Sequence, residues 1–137
     1  MEVEGELCKL FYQKFGQEAL PIIAAVFRQW GLVIGERMRA KMPEVDFKAA
    51  IEAYLKPVLG REPKPEIIEL SEKRIEIKVF TCPYRLKDAG KELCEAMTAM
   101  DRAVIESLVK EEIKFEVTKT MAAGDEFCGG IFAREDK

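Results

Sequence analysis

An α+β fold, with N-terminal helices packed on an antiparallel sheet of about four strands, is what the sequence predicts, and three observations predict it. Apolar residues recur at three- and four-residue spacing through residues 1–60, the period drops to two at residues 75–79 and 113–117, and a further helical segment separates those two runs. The expected order is helix-helix-helix-hairpin-helix-hairpin within a single domain, 1–60 forming the helical part and 61–137 the hairpin-helix-hairpin part.

The first helix is read from Val3 to Phe15, where Val3, Leu7, Leu10, Phe11 and Phe15 form one stripe and the charged residues fall elsewhere. Pro21 suits the first turn of a second helix, carrying Ile22, Ile23, Val26, Phe27, Trp30, Val33 and Ile34 to about Met42. That helix is apolar over most of its circumference, so it is a central core helix, a dimer face or the wall of an apolar pocket. Gly31 and Gly35 lie one turn apart within it, each costing about 1 kcal/mol against Ala. Close approach compensates that cost, by a neighbouring element or by a bound ligand.

A third helix follows Pro43, turns Phe47, Ile51, Tyr54 and Leu55 inward, and should end near Pro57 and Gly60. Past the connector 61–65, Ile75, Ile77 and Val79 alternate with Arg74, Glu76 and Lys78, with Ile67 to Leu70 as the hairpin partner. A long helix is expected from about Leu86 to Lys110. Ile113, Phe115 and Val117 then open a second hairpin, turning at Ala123-Gly124-Asp125 and returning through Phe127, Cys128, Ile131 and Phe132. Gly129-Gly130 marks a bulge or a close backbone approach there.

Composition narrows the function. The 137 residues carry 22 basic and 25 acidic side chains, interspersed, for a net charge of -3. No cationic face for nucleic acid follows from that balance. His is absent, which removes His-based triads and imidazole ligands and leaves Cys, Asp, Glu, Lys, Tyr and Arg as chemical groups. The apolar run from Ala19 to Phe27 stops at Arg28, short of the roughly 20 residues a membrane span needs, so none is expected. Four cysteines without a C-x-x-C pair, and no secretion signal at the start, point to the cytoplasm.

On the long helix Leu93, Met97, Met100, Val104 and Leu108 define the apolar arc, and both Cys94 and Asp101 point inward with it, two turns apart. A carboxylate on an apolar arc needs a partner or an upward pKa shift; Tyr84 and Arg85 are the candidate partners. Cys82 and Cys128, at strand positions, converge on the same side. With Asp101, the three cysteines form a Zn site, supply a redox or nucleophilic thiol, or simply pack. Met97 lines an adaptable ligand surface or fills the core.

The runs Cys82-Pro83-Tyr84 and Leu93-Cys94, then Asp101, then Thr120-Met121-Ala122-Ala123-Gly124-Asp125-Glu126-Phe127-Cys128 resemble the L-2-amino-thiazoline-4-carboxylic acid hydrolase family. More distantly the chain resembles the 4-vinyl-reductase-like ligand-binding domains, whose fold is shared with Golgi transport-particle subunits and haem nitric-oxide sensors. The wider group holds apolar ligands between helices and sheet, and some members bind Zn through Cys and Glu. Cys94 and Cys128 match that Zn pattern, while Thr120 and Val117 stand where such members have another Cys and a Glu, with Cys82 as the substitute ligand. The hydrolase resemblance implies hydrolytic opening of a cyclic thiazoline. Asp101 would then activate water, a cysteine would serve as ligand or nucleophile, and Arg85 would meet the substrate carboxylate.

The leading reading is therefore a domain that binds an apolar or amphipathic, lipid-like molecule, with Phe27, Trp30, Gly31, Ile34, Gly35, Tyr84 and Met97 around it. The alternative is the hydrolase, with Asp101, Cys94 and Arg85 as catalytic groups. A homodimer through the apolar helices is compatible with either.

Overall fold

The computed structural model describes residues 2–134. Five helices come in the order α1 (Glu2–Phe15), α2 (Ala19–Lys41), α3 (Phe47–Leu59), α4 (Lys91–Met97) and α5 (Ala99–Val109). The strands are β1 (Glu66–Leu70), β2 (Arg74–Val79), β3 (Ile113–Lys119) and β4 (Cys128–Arg134). They pair antiparallel throughout in the order β1-β2-β4-β3, so β2 and β4 join the two hairpins edge to edge. The α+β class and the order of elements are those the periodicities predict.

Helix α1 runs into α2 through a single 3-10 turn at Gly16–Glu18, entered at Gly16 with φ 62. The two helices thus form one apolar stretch, Val3–Lys41, long and apolar enough by length and composition to cross a membrane. The sequence count missed this because it stopped at the first charge, Arg28. A core helix meets the same criterion, and the inner face of α2 is committed to protein. At Gly31 an added Cβ would stand 2.5 Å from the Met100 carbonyl oxygen and 2.9 Å from Ala103 Cβ; at Gly35 it would stand 2.5 Å from Ser107 Cβ. The glycines therefore let the α2 backbone lie directly on α5.

Helix α3 starts at Asp46, whose side chain accepts a hydrogen bond from the Ala49 N–H at 2.8 Å. It ends at Leu59, where the sequence expects it to, with Pro57 in the final turn and Gly60 as the closing residue.

The long helix expected over 86–110 is the main correction. It starts five residues late and is divided at Thr98 into α4 and α5. Arg85 (φ 53), Asp88 (φ 60) and Gly90 (φ 117) have left-handed backbones that no α-helix accommodates. This loop is held instead to the 3-10 turn Met121–Ala123, by Asp88 N–H to the Met121 carbonyl (3.0 Å) and Gly90 N–H to the Ala122 carbonyl (2.7 Å). At the division, the Thr98 hydroxyl donates to the Glu95 carbonyl at 2.9 Å.

The core comprises two clusters. One joins α3 and α5 to the inner sheet face through Phe47, Ile51, Ile75, Val104, Ile105 and Phe132. The other joins α2 to α4 through Ala19, Ile23, Leu86, Leu93 and Met97. On the inner sheet face, Ile77, Gly130 and Val117 lie side by side across β2, β4 and β3. A row with glycine at its centre leaves a depression between the clusters.

Candidate functional site

A cavity of about 190 Å³ occupies that depression. Leu55 and Val58 of α3 roof it, Ile77, Val117 and Phe132 of the sheet floor it, and Met97 of α4 closes one side. The Phe115 ring leans over Gly130, where an added Cβ would meet it at 3.1 Å. Sheet geometry and a missing side chain thus create the space, and the helices enclose it.

The charged side chains lining it are Asp101, Arg61 and Lys119. Asp101 sits in the first turn of α5. Tyr54, two turns before the end of α3, donates its hydroxyl to Asp101 Oδ1 at 2.5 Å. Burial pushes the Asp101 carboxyl up to about 6, while the Tyr54 hydrogen bond and the positive charge of Arg61 oppose that rise. Burial, then the Asp101 charge, hold the Tyr54 hydroxyl firmly protonated. Tyr84 is pushed up to about 12, first by burial and then by the same carboxylate. The result is an apolar chamber with one ionisable acceptor near neutrality, kept in place by a phenol that stays a donor.

Three thiols also line the chamber: Cys82, Cys94 and Cys128. Burial pushes Cys94 up to about 11, against a hydrogen bond from Thr120. Cys128 is raised as well, again by burial, although its Sγ accepts the Met121 N–H at 3.4 Å. Protonated thiols are poor nucleophiles. Among the described residues no group of three or more His, Cys, Asp or Glu side chains stands close enough to hold a metal. The expected Zn set of Cys82, Cys94 and Cys128 therefore does not fit a metal here, and Cys94 lacks the lowered pKa that a nucleophile requires.

The structure gathers Asp101, Cys94, Tyr84 and Met97 at the cavity but leaves the α2 residues outside its lining. Gly31 and Gly35 are spent on the contact with α5. Ile34 packs against the first core cluster. Phe27 meets the Tyr84 ring edge-on at a centroid distance of 6.0 Å, and Trp30 lies half exposed with the Arg37 guanidinium 5.4 Å from its ring. Arg85 is exposed and is not among the residues that line the cavity; its backbone carbonyl accepts a hydrogen bond from Lys9 Nζ at 3.3 Å. Sequence reasoning missed Tyr54 as the Asp101 partner because the two lie 47 residues apart. It missed Arg61 by treating residues 61–65 only as a connector; the available signal was a lone arginine directly after a helix-ending glycine.

Helices covering one face of a four-stranded antiparallel sheet, with a chamber between them, make this a two-layer α+β fold. The chain belongs to the L-2-amino-thiazoline-4-carboxylic acid hydrolase family, which it matches over residues 2–132. No curated protein sequence matches it. Among solved structures it is similar to the phenol-responsive sensory domain of the transcription activator PoxR with phenol, with TM-score 0.67, 11% identity, and coverage of 97% of this chain and 73% of that one. It is similar also to a trafficking protein particle complex subunit 3 from Naegleria fowleri covalently bound to palmitic acid, with TM-score 0.61, 13% identity, and coverage of 99% and 98%.

Proposed function

We propose that this protein binds a compact amphipathic molecule in the chamber, its apolar body against the sheet and α3 and a polar donor against Asp101. One observation carries the reading: an apolar cavity of about 190 Å³ lined by Asp101, whose carboxylate accepts the Tyr54 hydroxyl. A void of roughly 150 Å³ in an apolar core admits benzene, so the volume supports a single ring or a short acyl chain, the lipid-like form of the same chemistry. The phenol and palmitate held by the two similar structures agree with that class of ligand.

Thermal unfolding with a panel of phenols, cyclic carboxylates and fatty acids of increasing length tests it. Ring-sized compounds should raise the melting temperature in proportion to the logarithm of their concentration. The cavity-filling variant Val79→Phe should abolish the rise. A panel without effect on the wild-type chain would contradict the proposal.

Membership of the family together with Asp101 near pKa 6 supports a second reading, hydrolytic opening of a thiazoline ring. At neutral pH the Asp101 carboxylate would accept a proton from the attacking water, and the protonated acid would return it to the departing ring atom. Turnover should then rise with pH through about 6 and vanish in Asp101→Asn. An unchanged rate in that variant would remove Asp101 from the chemistry.

A cytoplasmic setting is consistent with four unpaired thiols. Homodimerisation through α1 and α2 is supported by the exposed Val3, Leu7, Leu10, Ile22 and Val26. Light scattering on a sizing column reads that directly, and a monomer at working concentration would refute it.

A further inference from the structure

We propose that α1 is a strap hinged at Gly16, which holds the segment 82–86 shut as one wall of the chamber and opens the chamber when it lifts. The proposal rests on the binding role given to the cavity above and concerns access to it, and its test needs no ligand.

The walls differ in how firmly they are held. The sheet is fixed by its hydrogen-bonded ladder, and α5 lies backbone to backbone on α2 at Gly31 and Gly35. Helix α3 is anchored in the first core cluster through Phe47, Ala50 and Ile51. The remaining wall, formed by Thr81, Cys82, Pro83, Tyr84 and Leu86, is neither helix nor strand. Its backbone bonds are internal, from Arg85 N–H to the Cys82 carbonyl (3.1 Å) and from Ala89 N–H to the Leu86 carbonyl (2.8 Å), until Asp88 and Gly90 tie the chain to the turn at Met121–Ala123.

Helix α1 covers the outer side of that wall. Gly5 is buried, and an added Cβ there would collide with the Tyr84 carbonyl oxygen and stand 2.9 Å from Tyr84 Cβ. One turn later Lys9 Nζ reaches the Arg85 carbonyl. Tyr12 then donates its hydroxyl to Glu92 Oε2 at 3.1 Å, and Gln17 Nε2 donates to the same oxygen at 2.7 Å. These side-chain bonds are solvent-exposed, so water competes with each of them. The apolar hold comes from Cys8, Phe11 and Tyr12 at the edge of the second cluster, all partly exposed, while Val3, Leu7 and Leu10 face solvent. At the far end Gly16 has φ 62 and, among the described residues, open space where its Cβ would stand. A joint at an element's end that meets no neighbour can absorb a change in φ and ψ. The pieces thus have the character of a local opening unit: a weakly attached helix, a free joint and a wall that relies on that helix.

Residue-resolved alkylation with iodoacetamide at constant pH tests this, because Cys82 stands on the moving wall and Cys94 lines the chamber behind it. Gly5→Val drives α1 off Tyr84 and should speed alkylation of both thiols roughly tenfold or more, with hydrogen exchange of α5 and β4 as in the wild type. Glu92→Ala removes both outer anchors at an exposed site and should speed them roughly threefold. Glu92→Gln keeps an acceptor and should restore much of the wild-type rate. Unchanged rates in Gly5→Val and Glu92→Ala would overturn the strap and leave the binding reading intact. Faster alkylation with an equal loss of protection in α5 and β4 would assign the opening to global unfolding and overturn it too. Should Gly5→Val fail to fold, the Glu92 pair decides alone. A ligand panel without effect contradicts the binding reading and leaves these rates standing.

Discussion

Two places in the molecule use glycine pairs, with opposite consequences. At the α2–α5 seam, Gly31 and Gly35 remove side chains so that two helices touch through their backbones, and no space remains. On the sheet, Gly129 and Gly130 lie between β2 and β3, and Gly130 removes a side chain from the inner face where only the Phe115 ring leans in. The first pair closes a gap; of the second, Gly130 opens one while Gly129 admits the Thr118 hydroxyl against its backbone. Small residues create a pocket only where the surrounding elements cannot follow them inward. Two helices can slide together, whereas strands are held about 4.8 Å apart by their hydrogen bonds.

The largest expected effect lies at the seam. Gly31→Ala places a methyl 2.5 Å from a backbone oxygen that cannot rotate away. The clash should outweigh the gain in helix propensity and cost about 1–3 kcal/mol, read as a melting temperature lowered by several degrees. Gly130→Ala should cost less, because the neighbour is the far end of the Phe115 ring, but it should weaken ligand binding. Equal stability losses at the two sites would erase the distinction.

Comparable in size is the pH dependence of stability due to Asp101. Its carboxyl titrates near about 6 in the folded chain and near about 3.9 when unfolded. The folded state therefore holds that proton more tightly. The group favours folding below about pH 4, and its contribution is lost as pH rises through about 6, a swing of a few kcal/mol. Asp101→Asn keeps the side chain neutral at all pH, so the wild-type minus variant difference should change across this window. Tyr54→Phe removes a hydrogen bond that stabilises the carboxylate and should move the titration further upward. A difference curve that stays flat between pH 4 and 6 would contradict the buried acid.

Smaller effects concern the thiols and α2. Cys94 and Cys128 should both react slowly with alkylating reagents near neutrality, and Cys94 faster as pH approaches about 11. Chelator treatment should leave the melting temperature unchanged, since among the described residues no group of three or more candidate ligands could hold a metal ion. Trp30→Ala should leave ligand binding unaltered, because Trp30 lies outside the chamber.

Much of the fold was legible because burial imposes a period. The alternations Ile75-Ile77-Val79 and Ile113-Phe115-Val117 mark the inner sheet face directly. The division of the long helix was not legible, because left-handed backbones at Arg85 and Asp88 arise from contacts with the 3-10 turn near Met121, not from local propensity. For the site, the inward tilt of Asp101 and Cys94 could be read from helical spacing. The position of the chamber could not. An all-round apolar α2 looks like a pocket wall, yet its inner face packs on α5 and Ile22, Val26 and Trp30 remain exposed. Tyr54 and Arg61 reach Asp101 only through tertiary packing of α3 on the sheet.

Methyl NMR during titration with a phenol tests the central claim most directly. The account predicts saturable shifts at Val79, Val117 and Met97 around the chamber, with Ile22, Val26 and Ile34 of α2 unmoved. Shifts confined to those α2 methyls would place the ligand on the helix face and contradict it.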